Sequence, residues 1–195
     1  YGDAERMGLG KAMLAVGAAI NEVSQNSTAS ASYLVDFENR MAGVGKQADM
    51  SIPKIMGYAS VLDQNAQQVE MSATALQGII MKMYQDPGKL ARIAGIDVKE
   101  FARLVREDAN EALLQLLDTF GKAGGMQALA PMFDEMKLDG SRAASVLSVL
   151  AGNIESVRRE QKLAQEAFDE GTSAITEFNV CLLYTSPSPR DGATS

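Results

Sequence analysis

The sequence predicts an all-α protein, multiple amphipathic helices joined by short loops, with a long C-terminal helix of near-heptad pattern. Three observations carry that prediction. Apolar residues recur at three- and four-residue steps, the period that lines one face of a helix. Capping and breaking residues cluster between those stripes rather than inside them. No convincing alternating strand pattern interrupts the series. The composition agrees: 195 residues, 46% hydrophobic and 22% charged, suit a chain that folds around a sizeable core. Aromatic residues make up only 6%, with no Trp, while Ala, Gly, Ser and 11 Met supply much of the packing material, as closely packed helices allow.

Leu9, Met13, Val16, Ile20 and Val23 form the first stripe, and Ala31, Leu34, Phe37, Met41 and Val44 the second. Ser51-Ile52-Pro53 reads as the start of a third helix, with a Ser cap and Pro in the first turn. Its stripe is Ile52, Ile55, Ala59 and Leu62. Val69, Leu76, Ile80 and Met83 fill the fourth helix, which Asp86-Pro87-Gly88 breaks. A short helix from Lys89 ends near Gly95.

Asp97 followed three residues later by Glu100 makes a capping box, in which each side chain satisfies a free amide at the helix start. Phe101, Leu104 and Val105 follow on one face. Asp108 caps the next helix, apolar at Leu113, Leu114, Leu117 and Phe120, and Gly121 to Gly125 stop it. A brief helix spans Pro131 to Met136. Asp139-Gly140-Ser141 then opens the longest element, whose Val146, Leu150, Ile154, Val157, Ala164, Phe168, Ile175 and Phe178 keep a near-heptad spacing. Turns are expected near Asn26, Asp49, Pro87, Gly95, Gly124 and Asp139.

At Cys181 the character of the chain changes, and residues 181–195 hold the only Cys and two of the five Pro. The string from Cys181 to Asp191 resembles the in-frame translation of a sequencing-library adapter. This divides the chain into a helical region, residues 1–180, and a non-native, disordered tail, residues 181–195. A natural Ser/Pro linker is the alternative. Without the tail there is no cysteine from which to read a redox compartment or a disulfide framework. The chain opens with Tyr1 rather than Met, which predicts that its natural start lies upstream.

The formal net charge is −7, and it does not change when Arg190 and Asp191 leave with the tail. That balance, with no basic stripe, argues against sequence-specific nucleic-acid binding, which needs clustered Lys and Arg to displace counterions. The longest clean apolar run, Ala12 to Ile20, lies between Lys11 and Asn21, well short of the roughly 20 residues a membrane span requires.

No catalytic, cofactor-binding or metal site is expected, and the chain reads as a non-enzyme. The absence of His excludes Ser-His-Asp and Cys-His constellations and histidine-bearing zinc and iron sites. The nearest echo of a phosphate loop, Gly8-Leu9-Gly10-Lys11, has Glu5 where the first glycine is required and Ala12 where Ser or Thr should follow the lysine. Paired carboxylates, Glu107 with Asp108 and Asp134 with Glu135, could serve acid–base work or bind a hard cation. Adjacent helical residues diverge, however, so capping and solvation explain them better. Arg158-Arg159-Glu160 reads as a solvated helix face. The methionines lie mostly on core stripes, where they fill gaps.

The segment Met71 to Asp97, MSATALQGIIMKMYQDPGKLARIAGID, resembles the core region of phage tail tape-measure proteins. The stretches Phe101 to Leu104, Asp108 to Leu114 and Leu138 to Leu147 are similar to the same region, in the same order. Met41 to Val44, Tyr58 to Asp63 and Glu170 to Ser173 resemble tape-measure proteins of phages and prophages of Bacteroides-like bacteria. The likeness covers residues 1–180 and consists of packing and turn motifs, so it carries no active residue with it.

The resemblance implies a structural protein of the virion. In that family a long, largely helical chain lies in the tail lumen, sets tail length during assembly in the host cytoplasm, and leaves on DNA ejection. The implied partners are copies of the chain associating through their helices, the tail-tube protein and tail assembly chaperones. A cellular helical scaffold, or a secreted helical effector without catalysis, is the alternative, since amphipathic helices with short loops serve many such proteins.

Overall fold

A computed structural model of the chain describes residues 2–124, 126–135 and 140–185, which form eleven helices and no strand. In chain order these are α1 (Asp3–Met7), α2 (Leu9–Asn26), α3 (Ala31–Gln47), α4 (Ile52–Gln64), α5 (Val69–Gln85) and α6 (Pro87–Ala94). Then come α7 (Val98–Glu107), α8 (Ala109–Lys122), α9 (Met126–Glu135), α10 (Gly140–Ala151) and α11 (Ile154–Thr185). The protein is all-α, as the periodicity predicts.

The caps explain several of the boundaries. Asp97 Oδ1 accepts from the Glu100 amide at 2.9 Å, opening α7, and Asp108 Oδ1 accepts from the Glu111 amide at 3.0 Å, opening α8. Asp86 does the same for α6 through the Lys89 amide at 2.8 Å, with Pro87 as the first helical residue, so α6 begins before the expected Lys89. It closes on Gly95 in the left-handed region, φ 69°.

Ser51 departs from expectation: it precedes α4 but makes no capping bond, and its hydroxyl has no partner among the described residues. Pro53, two residues on, has no amide to offer, and the Lys54 amide, the counterpart of those the other caps engage, receives no bond from Ser51. Ser30, which the sequence reading passed over, is the working cap of its pair. Its Oγ accepts from the Tyr33 amide, and its own amide and hydroxyl both donate to Asp63 Oδ2, at 2.7 and 3.2 Å.

Helix α4 lies at the centre, buried on every side from Ile55 to Leu62. Helices α3 and α5 pack beside it, α10 crosses α5 and α8, and α6, α7 and α8 follow as successive hairpins. Leu34, Phe37, Met41, Ile55, Leu62, Leu76, Ile79, Leu116, Leu117 and Phe120 are all at zero exposure in one continuous core. Burying each such side chain contributes about 1.5–3 kcal/mol before chain entropy is counted. Phe120 meets Phe133 of α9 edge to face, centroids 5.6 Å apart. Where α8 passes the end of α10, a Cβ on Gly121 would stand 2.5 Å from the Ala151 carbonyl oxygen, so only glycine permits that approach.

One expectation about the C-terminal part is corrected. The longest predicted element is two helices, because Gly152-Asn153 interrupts it. The Gly152 amide bonds back to the Ser148 carbonyl, and the Asn153 side chain donates to the Val149 carbonyl, which closes α10. The apolar spacing of Leu150, Ile154 and Val157 passes across that turn unbroken and conceals it. The C-terminal helix α11 is still the longest, at 32 residues. It runs to Thr185. Residues 186–195 of the expected tail lie outside the described residues, as do Gly125, Met136, Asp139 and the side chains of Ile175 and Phe178.

The first stripe is also corrected. In α2 the buried residues are Ala12, Ala15, Ala19 and Val23, while Leu9 and Met13 are each 65% exposed and Leu14 is 59% exposed. Helix α11 packs along α2 through small side chains, and a Cβ on Gly171 would lie 2.9 Å from Ala18 Cβ and 3.0 Å from Ala15 Cα. Alanine lets the two backbones approach closely, and the larger residues turn outward.

Candidate functional site

Where α4, α8 and α11 meet, polar side chains replace the hydrocarbon of the core. Tyr58, at zero exposure, donates to Asn110 Oδ1 at 2.9 Å. Gln161 of α11 donates to the same oxygen and to the Lys54 carbonyl, both at 2.9 Å, and accepts from Asn110 Nδ2 at 3.2 Å. Ser60 donates to Glu160 Oε2 at 3.2 Å and accepts from Gln64 at 2.9 Å. At the rim, Arg158 makes a two-pronged pair with Glu111 at 2.8 and 2.9 Å.

This seam exists because α4 carries two faces. Ile55, Tyr58, Ala59 and Leu62 form its apolar side. Lys54, Gly57, Ser60 and Gln64, at steps of three and four, bring small and polar groups under α11. A Cβ on Gly57 would stand 2.9 Å from the Gln161 backbone nitrogen, so the two helices touch there.

Burial pushes the Tyr58 hydroxyl far above the usual tyrosine range; its bonding to Gln161 opposes the shift and Glu111 adds to it. The bond to Glu111 holds the Arg158 guanidinium above its ordinary value, against a smaller desolvation effect. Tyr58 is thus a fixed neutral donor. In the seam it fastens helices together.

In Gly8-Leu9-Gly10-Lys11, Gly8 is the residue before α2, and Leu9 to Lys11 are its first helical turn. Glu107 and Asp108 diverge, Glu107 pairing with Arg103 at 2.6 Å and Asp108 capping α8 and facing Lys54 at 3.5 Å. Asp134 and Glu135 are exposed at the end of α9. Arg158 and Arg159 lie on the outer face, but Glu160 corrects the reading of that run, since it is only 3% exposed beneath Ser60. Position 160 turns inward toward α4, a partner 100 residues away that no local pattern reveals.

A second polar feature is a cleft of about 320 Å3 between the α3–α4 turn and the α7–α8 junction, holding Asp49, Lys54, Tyr84, Arg106, Glu107 and Asp108. Its groups are largely committed: Tyr84 donates to the Ala48 carbonyl at 3.5 Å, and Asp108 and Glu107 serve the cap and pairs already named. Burial, and then Asp49, raise the Tyr84 hydroxyl above its ordinary value. Among the described residues no cluster of three or more His, Cys, Asp or Glu could hold a metal ion, and no helix is long and apolar enough to cross a membrane. No known family model matches the chain, no curated protein matches it in sequence, and no solved structure matches its fold.

Proposed function

We propose that the chain is part of a phage tail tape-measure protein, a non-enzymatic component that occupies the tail lumen and templates the length of the tail tube. The observation that carries this reading is the likeness of Met71 to Asp97 to the core region of that family, continued in order through Phe101 to Leu104, Asp108 to Leu114 and Leu138 to Leu147. Its stretches fall on α5 to α8 and α10. An all-helical architecture ending in a 32-residue helix accords with it. The partners are further copies of the chain, the tail-tube protein and assembly chaperones. The places of action are the host cytoplasm during assembly and then the virion.

Two measurements test the proposal. Genes for tail-tube, tail-chaperone and baseplate proteins are expected to flank the source gene, and metabolic neighbours there would count against it. In-frame deletion of residues 139–180 should shorten tails by up to roughly 60 Å, the axial rise of one straight helix of that length. The antiparallel packing of α11 on α2 lowers that figure if the region stays folded in the tube, since antiparallel helices cancel each other's advance. A series of deletions cut at Pro87 and Gly124 that leaves tail length unchanged would defeat the template role.

One observation favours a second reading. The helices share a single continuous core, as in a self-contained scaffold or a secreted helical effector. A secretion locus beside the gene would support it.

A further inference from the structure

Helices α2 and α11 form an antiparallel pair: Gly171 lies beside Ala15 and Ala18, while Glu160 reaches Ser60, whose hydroxyl also meets Ser27 at the far end of α2. We infer that this pair, with α1 riding on it, is a separable unit that lifts off the polar face of α4 while α3 to α8 and α10 stay folded.

Three features converge on that reading. The first is the difference between the two interfaces α11 makes. Toward α2 it is a close approach of small residues, with Gly171 against Ala15 and Ala18. Toward α4 and α8 it is the network of Tyr58, Ser60, Asn110, Glu160 and Gln161, groups that water satisfies as well as their present partners do. Opening there also uncovers Val23 of α2 and Ile154, Val157 and Phe168 of α11, four buried apolar side chains larger than alanine against the five of α8 alone, Leu113, Leu114, Leu116, Leu117 and Phe120.

The second feature is Glu160. Docking removes its carboxylate from water, with the Ser60 hydroxyl at 3.2 Å and Arg159 at 3.6 Å as neighbours. Release returns the charge to solvent and recovers its hydration. The third is the pair of joints. Ser27 is extended, and Ser30 is anchored to Asp63 on the stationary side. On the other strand of the pair, Gly152 and Asn153 form a two-residue turn before α11. Both connections are short non-helical segments. Without its lid α4 is an ordinary amphipathic helix, with Lys54, Gly57, Ser60 and Gln64 toward solvent.

Hydrogen exchange of the intact chain under native conditions, across low denaturant concentrations, tests this. Amides of α2 and α11 should share one opening, at least about tenfold less protected than those of α5, α8 and α10, with a smaller denaturant dependence than global unfolding. Gly57→Ala, which drives a Cβ against Gln161, should raise exchange in α2 and α11 together and leave α5, α8 and α10 unchanged. Equal protection across all these helices would overturn the inference, as would α2 and α11 opening independently of each other. So would a Gly57→Ala variant in which every helix loses protection by the same factor. Should that variant fail to fold, the exchange pattern of the unaltered chain decides alone.

Discussion

The interior of α3, α5, α8 and α10 and the seam beneath α11 are both buried, yet they are built by opposite means. The first is filled with Leu, Ile, Met and Phe at zero exposure, so its stability scales with the hydrocarbon removed from water. The second excludes water nearly as well but fills its space with a phenol, two amides, a hydroxyl and a carboxylate. Its net worth per contact is small, and its demand for correct partners is strict. One region sets how stable the protein is. The other sets where α11 lies.

Substitutions should separate the two. The largest effect is expected for Phe120→Ala, which removes a ring at zero exposure and its edge-to-face partner contact with Phe133. A loss of about 3–5 kcal/mol is expected in denaturant unfolding. A loss under about 1 kcal/mol would mean the core is not close-packed there.

Asn110→Ala should cost less, about 1–3 kcal/mol, because it strands the Tyr58 hydroxyl and Gln161 rather than opening a large cavity. Adding Tyr58→Phe should return part of that loss, and strict additivity of the two substitutions would argue against the bond that joins them.

Alkaline pH probes the same pair. The Tyr58 hydroxyl titrates higher in the folded chain than in the unfolded one, so its contribution is fully present below about pH 10, the ordinary tyrosine value. It declines as pH rises beyond that, because only the unfolded chain then loses the proton. Tyr58→Phe should flatten this alkaline decline in a pH series of melting temperatures; an unchanged slope would assign it to the other tyrosines.

The smallest effects concern caps. Asp108→Ala should cost about 1 kcal/mol, since its carboxylate holds the Glu111 amide. Ser51→Ala should stay within about 0.5 kcal/mol, as its hydroxyl caps nothing. Equal losses at the two positions would contradict the difference in their geometry.

Much of the fold was legible in the sequence because its signals are local. The caps at Asp97 and Asp108, the break at Pro87 and the middle of the α3 stripe, Leu34, Phe37 and Met41, depend on residues three or four apart, and each is found where the spacing places it. The misread parts depend on distant partners. In α2 the large residues point outward and the alanines inward, because what decides the face is α11, more than a hundred residues further on. Hydrophobicity ranks Leu9 and Met13 above Ala12 and Ala15, whereas close helix packing reverses that rank.

The seam was invisible for the same reason. Nothing near Glu160 or Gln161 announces that the one meets Ser60 and the other reaches the Lys54 carbonyl 107 residues back. A retrospective signal did exist: Lys54, Gly57, Ser60 and Gln64 recur at helical spacing along a helix whose other face is apolar. Gly152-Asn153, likewise, is a stop signal that an unbroken apolar period concealed.

The contact of Gly121 with the Ala151 carbonyl has a consequence in leverage. Ala151 is the last residue of α10, immediately before the turn that launches α11, so α8 acts on the root of a lever 32 residues long. At about 1.5 Å per residue that arm is roughly 48 Å, and a tilt of about 5° at its root would carry the far end by roughly 4 Å. A single methyl group added at Gly121 would press on that root, while the seam beneath Glu160 and Gln161 holds the helix against the tilt.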